Sequence, residues 1–105
     1  MADYSVVFIT ASSNDEAEKI AEKLVSQKLA ACVNVLPNVK SFYLWEDKLC
    51  KDDEFLLIAK IKISNFKELK KAVKEIHSYD VPEVILLPIE DGANTYLEWI
   101  RQVTK

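Results

Sequence analysis

Apolar periodicities in the order strand, helix, strand, strand, helix, strand predict an α+β fold, the ferredoxin-like βαββαβ antiparallel sheet with two helices on one face. Two further observations complete the prediction. The β-rich stretch between the helices runs over residues 32–63, which demands a long β2–β3 hairpin, and a last helical stripe after Gly92 adds an extra C-terminal helix. A chain of 105 residues with half of them hydrophobic and almost a third charged suits one globular domain over residues 1–105.

The first strand is read at 4–11, "YSVVFITA", β-branched and aromatic. Ser13 and Glu16 stand at the spacing of a capping box, and Ala17, Ile20, Ala21, Leu24 and Val25 recur at helical spacing, so helix one covers 14–28. The strands of the hairpin meet at the polar cluster Glu46-Asp47-Lys48, the first running from about Cys32 to Trp45. Pro37 lacks the amide hydrogen that a central ladder needs and marks a bulge or an edge position. Ser64 is placed as the cap of helix two, whose stripe is Phe66, Leu69, Val73 and Ile76, with Lys67, Lys70, Lys71 and Lys74 on a solvated face. The run 83–89, apolar at nearly every position, is a buried strand, and the last helix turns Tyr96, Trp99, Ile100 and Val103 inward.

The hairpin outgrows its helices. Fourteen residues of strand extend about 46 Å, whereas a helix of that length covers about 21 Å. The tip is apolar on both sides, with Tyr43 and Trp45 alternating against Phe42 and Leu44, so a homo-oligomer is expected to cover it. The competing expectation is a monomer whose C-terminal helix folds back as a lid.

Composition removes several functions. A net charge of −3 supplies no basic field for nucleic acid. Neither a secretory leader nor an apolar run long enough to span a membrane is present, so a cytoplasmic protein is expected. Cys32 and Cys50 form no C-x-x-C pair for a soft-metal chaperone, and Cys32 is expected as a small buried hydrophobe. An acylphosphatase-like anion cradle has no arginine to build it apart from Arg101, and no glycine apart from Gly92. An RNA-recognition module would need stacking aromatics in a basic, glycine-containing motif that is missing. No nucleophile stands beside an evident base, and an enzyme is not expected.

The ordered segments "LAACVNVLPNVKSFYLWEDKL", "DEFLLIAKIKI", "HSYDVPEVILLPI" and "YLEWI" resemble the CutA family, named for divalent-cation tolerance, and the resemblance spans the whole chain. It implies a ferredoxin-like homotrimer joined through its long hairpins, and a role in divalent metal ion tolerance or response. It also implies copper binding, for which copper-associated relatives supply a cysteine closing the first strand and paired histidines before Pro-Tyr. Here those positions read Ile9 and Ile76-His77-Ser78-Tyr79. His77 and Cys32 are the remaining candidate ligands, which implies no required cofactor and at most a weakly bound Cu²⁺ or Zn²⁺. The other positions shared with the family, Tyr43, Trp45, Glu54, Lys60, Tyr79, Glu83, Tyr96 and Trp99, are implied to form an intersubunit interface with a Glu–Lys pair, or a pocket for a small-molecule ligand. The alternative function is a PII-like sensor trimer that binds a small anionic ligand between subunits. His77 itself is expected at the end of helix two, bonding freed helix carbonyls and packing against its neighbours.

Overall fold

The computed structural model describes residues 2–105. β1 (Tyr4–Ala11), α1 (Asn14–Ser26), β2 (Cys32–Trp45), β3 (Lys48–Lys62), α2 (Phe66–Ile76), β4 (Val84–Pro88) and α3 (Asn94–Val103) follow one another as the periodicities require. The strands form one antiparallel sheet in the order β2-β3-β1-β4, the ferredoxin-like arrangement.

Strand alternation divides the sheet into two unlike faces. Val7, Ile9 and Ala11 of β1 and Leu57, Ala59 and Ile61 of β3 point to one side. There they pack against Ala17, Ile20 and Leu24 of α1 and Leu69, Ala72 and Val73 of α2, a single core with essentially no exposure. The other face carries no helix of its own chain over its centre. Val6, Phe8, Leu56 and Ile58 lie half-buried on it, and Ile85 and Leu87 of β4 are exposed.

Several local expectations shift by a residue or two for identifiable reasons. Helix one stops at Ser26 rather than 28 because Lys28 adopts φ 59°, and a Schellman pattern closes it: Lys28 N–H donates to Val25 O and Leu29 N–H to Leu24 O. Ser64 does not cap helix two; Ile63–Asn65 forms a 3₁₀ turn, and the Asn65 side chain donates instead to the Lys105 carbonyl at 2.8 Å. In α2, Leu69 and Val73 are buried as expected, Ala72 joins them, and Ile76 is exposed. β4 is shorter than the predicted 83–89 run, starting at Val84 and ending at Pro88. Cys32 is half-buried on the helix-free face rather than in the core. In α3 only Ile100 is buried; Tyr96, Trp99 and Val103 remain exposed in the single chain.

The hairpin does outrun the helices. Its 14 and 15 residues face an α1 of 13, the longest dimension of the molecule is 44 Å, and the radius of gyration is 14.2 Å. A compact chain of this length has about 13 Å. The lid expectation fails, since α3 packs on β3 and leaves Phe42 at 64%, Leu44 at 73% and Leu49 at 76% exposure.

Two features inside the hairpin decide what its far half presents. Between Leu36 and Val39 the register slips, leaving Pro37 and Asn38 unpaired and Asn38 at φ 64°, so Pro37 marks the bulge as expected. One net extra residue reverses the facing of everything beyond it. Val33 and Val35 oppose the core residues Ala59 and Leu57, but after the slip Val39 opposes Glu54 and Tyr43 opposes Cys50, on the helix-free side. At the tip, Glu46 and Asp47 both have positive φ, 52° and 63°, the backbone of a type I′ turn built without glycine.

Non-glycine residues in this conformation are strained, so Asp47→Gly is expected to raise the unfolding free energy by ~0.5–1 kcal/mol. A higher midpoint in urea titration, with an unchanged slope, is the readout.

Candidate functional site

β4 begins at Val84, opposite Ile9, and so covers only part of β1. The Tyr4 carbonyl accepts from Ile89 N–H, and period-two alternation aims every second carbonyl of β1, including that of Thr10, at the β4 side. Beyond Val84 no strand remains to receive it, and a buried carbonyl without a donor is costly. His77 supplies the donor: its Nε2 lies 2.6 Å from Thr10 O, and Nδ1 accepts from Tyr79 N–H at 3.1 Å. This pairing assigns the Nε2–H tautomer.

The imidazole has no exposed side-chain surface, and Tyr79 lies against it with ring centroids 4.8 Å apart. The expectation of a packed, hydrogen-bonded ring therefore holds. Its partner is the end of β1, not the carbonyls of helix two.

Glu16 ties this corner together. Oε1 accepts from Ser12 N–H and hydroxyl, Oε2 accepts from Ser78 N–H at 2.7 Å, and the same oxygen lies 3.9 Å from His77 Nδ1. Ser13 accepts from Glu16 N–H, so one half of the predicted capping box is present, while the glutamate reaches one residue further back than a capping box would. Burial pushes the Glu16 carboxyl up, but the hydrogen bonds from Ser12 and Ser78 outweigh it and hold the group at about 2.

The loop pinned by these contacts overhangs the helix-free face and encloses a pocket of about 690 Å³ with the hairpin. Glu54 lies at its floor, only 7% exposed, with Oε2 accepting the Tyr79 hydroxyl at 2.7 Å. Burial and this bond raise the Tyr79 phenol. Burial and the neighbouring Glu54 raise Glu83 above the usual carboxylate range. Tyr43, turned to this side by the bulge, donates to Asp52, which pushes its phenol up to about 12. Trp45, Asp80 and Thr10 are also part of the lining, which contains no lysine or arginine.

The predicted site residues therefore separate into two groups. Tyr43, Trp45, Glu54, Tyr79 and Glu83 share this pocket, with His77 behind its wall. Cys32, Lys60, Tyr96 and Trp99 do not line it. The Glu–Lys pair does not form within the chain: Lys60 donates to Asn34, and Glu54 is six residues along β3, about 20 Å away. Tyr96 and Trp99 lean on each other at 5.5 Å, and Cys32 lies near enough to Tyr96 to add to the rise that burial causes in its phenol. Nor can Cys32 and His77 share a metal in one chain. Cys32 pairs with Lys60, whereas Thr10, which holds His77, pairs with Leu56, four residues or about 13 Å further along β3. Both His77 nitrogens are also engaged. Among the described residues no three of His, Cys, Asp and Glu are grouped closely enough to hold a metal. By its spacing Glu16 belongs only to the cap, and nothing in that spacing signals the contact with Ser78, 62 residues away.

Comparison with known proteins places this architecture among close relatives. Residues 5–103 match the family model described as CutA1 divalent ion tolerance protein. The divalent-cation tolerance protein CutA of Thermus thermophilus is 44% identical over 99 residues, 94% of this chain and 96% of the relative. The chloroplastic protein CutA of Arabidopsis thaliana is 45% identical over 95% of this chain, which spans 55% of that longer relative. The structure of the periplasmic divalent cation tolerance protein CutA from Archaeoglobus fulgidus superposes with a TM-score of 0.95 at 42% identity, covering 97% of this chain and 99% of the other.

Two consequences can be measured. His77→Phe keeps the ring volume but leaves Thr10 O and Tyr79 N–H without partners, and is expected to cost ~2–3 kcal/mol in denaturant unfolding. Glu16 sits at about 2 when folded and near 4.5 when unfolded. Its contribution, on the order of 2 kcal/mol, is thus fully present above pH 4.5 and is lost as pH falls through the folded value. Glu16→Gln is expected to flatten the fall in stability between pH 4.5 and 2 relative to the parent.

Proposed function

Since this chain belongs to the CutA1 divalent ion tolerance family, we propose that it acts in divalent metal ion tolerance or response as a homotrimer that binds rather than catalyses. The observation that carries this reading is the family match over almost the whole chain, 5–103. Trimerisation is supported by two apolar surfaces the chain leaves uncovered, the hairpin tip at Phe42, Leu44 and Leu49 and the helix-free face at Phe8, Ile58, Ile85 and Leu87. An assembly that closes on itself would bury both and occupy the free edge of β2.

On this reading the chain needs no cofactor, and Cu²⁺ or Zn²⁺ binds weakly through accessible carboxylates such as Asp80 and Glu83 rather than through His77 and Cys32. The sensor of a small anion gains no support from a pocket lined by Glu54, Asp80 and Glu83 without a basic residue. Two free cysteines suit a reducing, cytoplasmic setting. Relatives are named for the periplasm and the chloroplast, so location varies within the family. Among the described residues no helix is long and apolar enough to cross a membrane.

Light scattering at micromolar concentration is expected to give the mass of three 12.0 kDa chains; the mass of one chain would refute the trimer. Trp45→Ala removes an aromatic anchor next to the tip and is expected to weaken assembly by ~2 kcal/mol, read as dissociation on dilution. Calorimetric titration of CuCl₂ is expected to show no submicromolar, stoichiometric event abolished by His77→Ala.

A further inference from the structure

The helix layer, on the side of the sheet away from the helix-free face, carries two stripes of opposite charge. On α2, Lys67, Lys70, Lys71 and Lys74 stand at i, i+3, i+4 and i+7, all exposed and turned away from the buried Leu69, Ala72 and Val73. The two acids of that helix are drawn aside by lysines of other elements: Glu68 pairs with Lys105 at 2.6 Å and Glu75 with Lys23 at 3.6 Å. Among the described residues no carboxylate pairs with the four stripe lysines, and Lys70 rests on the Phe66 ring at 4.9 Å. On α1, Asp15, Glu18 and Glu22 stand at i, i+3 and i+7, exposed, turned away from the buried Ala17, Ile20 and Leu24, and in no ion pair among the described residues. The two helices lie side by side and antiparallel. Glu16 at the start of α1 accepts from Ser78 just past the end of α2, and Lys23 near the end of α1 donates to the Ala72 carbonyl. Lys19, Lys23 and Glu75 form a mixed seam between the stripes.

The geometry points to the helix layer as a contact between two copies of this chain, in which the lysine stripe of α2 lies on the acidic stripe of α1 of the second copy, and the converse. A two-fold axis parallel to the helices and midway between them makes both contacts at once, setting three carboxylates against four ammonium groups twice over. The stripes match in length, since each runs from i to i+7 of its helix, roughly 10 Å. Other occupants fit one stripe and not the other. A flat anionic surface, such as a bilayer, would meet the acids of α1 one interhelical spacing from the lysines, about 8–10 Å, a distance over which charges still interact. An acidic segment of another protein would use the lysines alone and leave the acids of α1 unmatched. A second copy supplies both complements at the observed spacing. Exposed ion pairs are individually weak and screened by salt, so the contact is reversible and strengthens as ionic strength falls. Net charge does not favour it: at −3 the chain repels its copies at long range, and an association that salt weakens must come from local complementarity. The contact lies across the sheet from the helix-free face assigned to the trimer and does not rest on that assembly.

The test is sedimentation velocity of the full chain over a range of micromolar concentrations in about 20 mM and about 500 mM NaCl, where charges are screened over roughly 20 Å and roughly 4 Å. The mass at high salt is that of the basal assembly. At low salt the weight-average mass is expected to rise about twofold or more, increasing with protein concentration. Two triple variants, Lys67→Glu/Lys71→Glu/Lys74→Glu and Asp15→Lys/Glu18→Lys/Glu22→Lys, are each expected to stay at the basal mass in low salt. Combining all six substitutions exchanges the stripes and returns the net charge to −3, since the six units removed on α2 are regained on α1, and is expected to restore the association. Circular dichroism verifies the fold of each variant. Glutamine at the same positions, stripe by stripe, serves where a reversed chain loses its folded spectrum, and is expected to abolish the rise as well. A parent with one mass at both salts would overturn the contact. So would a folded exchanged variant that stays at the basal mass, or loss of association in the lysine variant alone, which would leave that stripe to an acidic segment of another protein. The mass at high salt tests the trimer independently, because only the change with salt reads this contact.

Discussion

The slip of register at Pro37 and Asn38 is the constraint from which most of the molecule's individuality follows. Up to Leu36, β2 behaves as an ordinary strand of a two-layer domain, sending Val33 and Val35 to the helices. One net inserted residue then turns Val39, Ser41, Tyr43 and Trp45 to the side whose centre carries no helix. Without it, Tyr43 and Trp45 would stand on the helix side beyond the reach of α1, and Glu54 would face a different set of neighbours. With it, the aromatic half of the hairpin and the carboxylate on β3 share one surface.

That surface becomes a pocket only because β4 is short. Five residues of β4 cannot pair the whole of β1, so the chain entering β4 must close the gap and satisfy the Thr10 carbonyl. His77 closes it through the ring, Glu16 holds the adjoining amide of Ser78, and Tyr79 is thereby aimed at Glu54. The histidine that attracts a metal-ligand reading is thus occupied by hydrogen bonds that the sheet requires. Its use is architectural, and the chemistry of the cavity belongs to the carboxylates and aromatic rings it positions.

Charge sets the character of the cavity more than shape does. Glu54 is buried beneath the loop, burial and Glu54 raise the Glu83 carboxyl, and among the described residues the lining holds no lysine or arginine. Family membership identifies the context, divalent ion tolerance, while the pocket brings carboxylates and aromatic rings together. The pocket opens on the same helix-free face and hairpin that are suited to contact between copies of the chain.

Element order, the two-helix layer, the long hairpin and the bulge at Pro37 were legible in the residues, because each rests on local signals: period-two or helical spacing, a missing amide hydrogen, a capping serine. The family was legible too, carried by motifs along the whole chain. Boundaries were less so. Lys28 ended helix one through a positive φ that lysine does not advertise, and Ser64 did not cap helix two because a 3₁₀ turn runs through it to Asn65, whose side chain bonds a carbonyl 40 residues away. Of the site, the sequence supplied the residue types but not their grouping. Tertiary structure alone decided that Tyr43, Trp45, Glu54, Tyr79 and Glu83 meet, that Cys32, Lys60, Tyr96 and Trp99 lie apart from them, and that His77 spends both nitrogens on backbone. The physical reason is strand register: a shift of one residue reverses a side chain's face, and contacts between distant segments depend on that register while the composition of each segment does not.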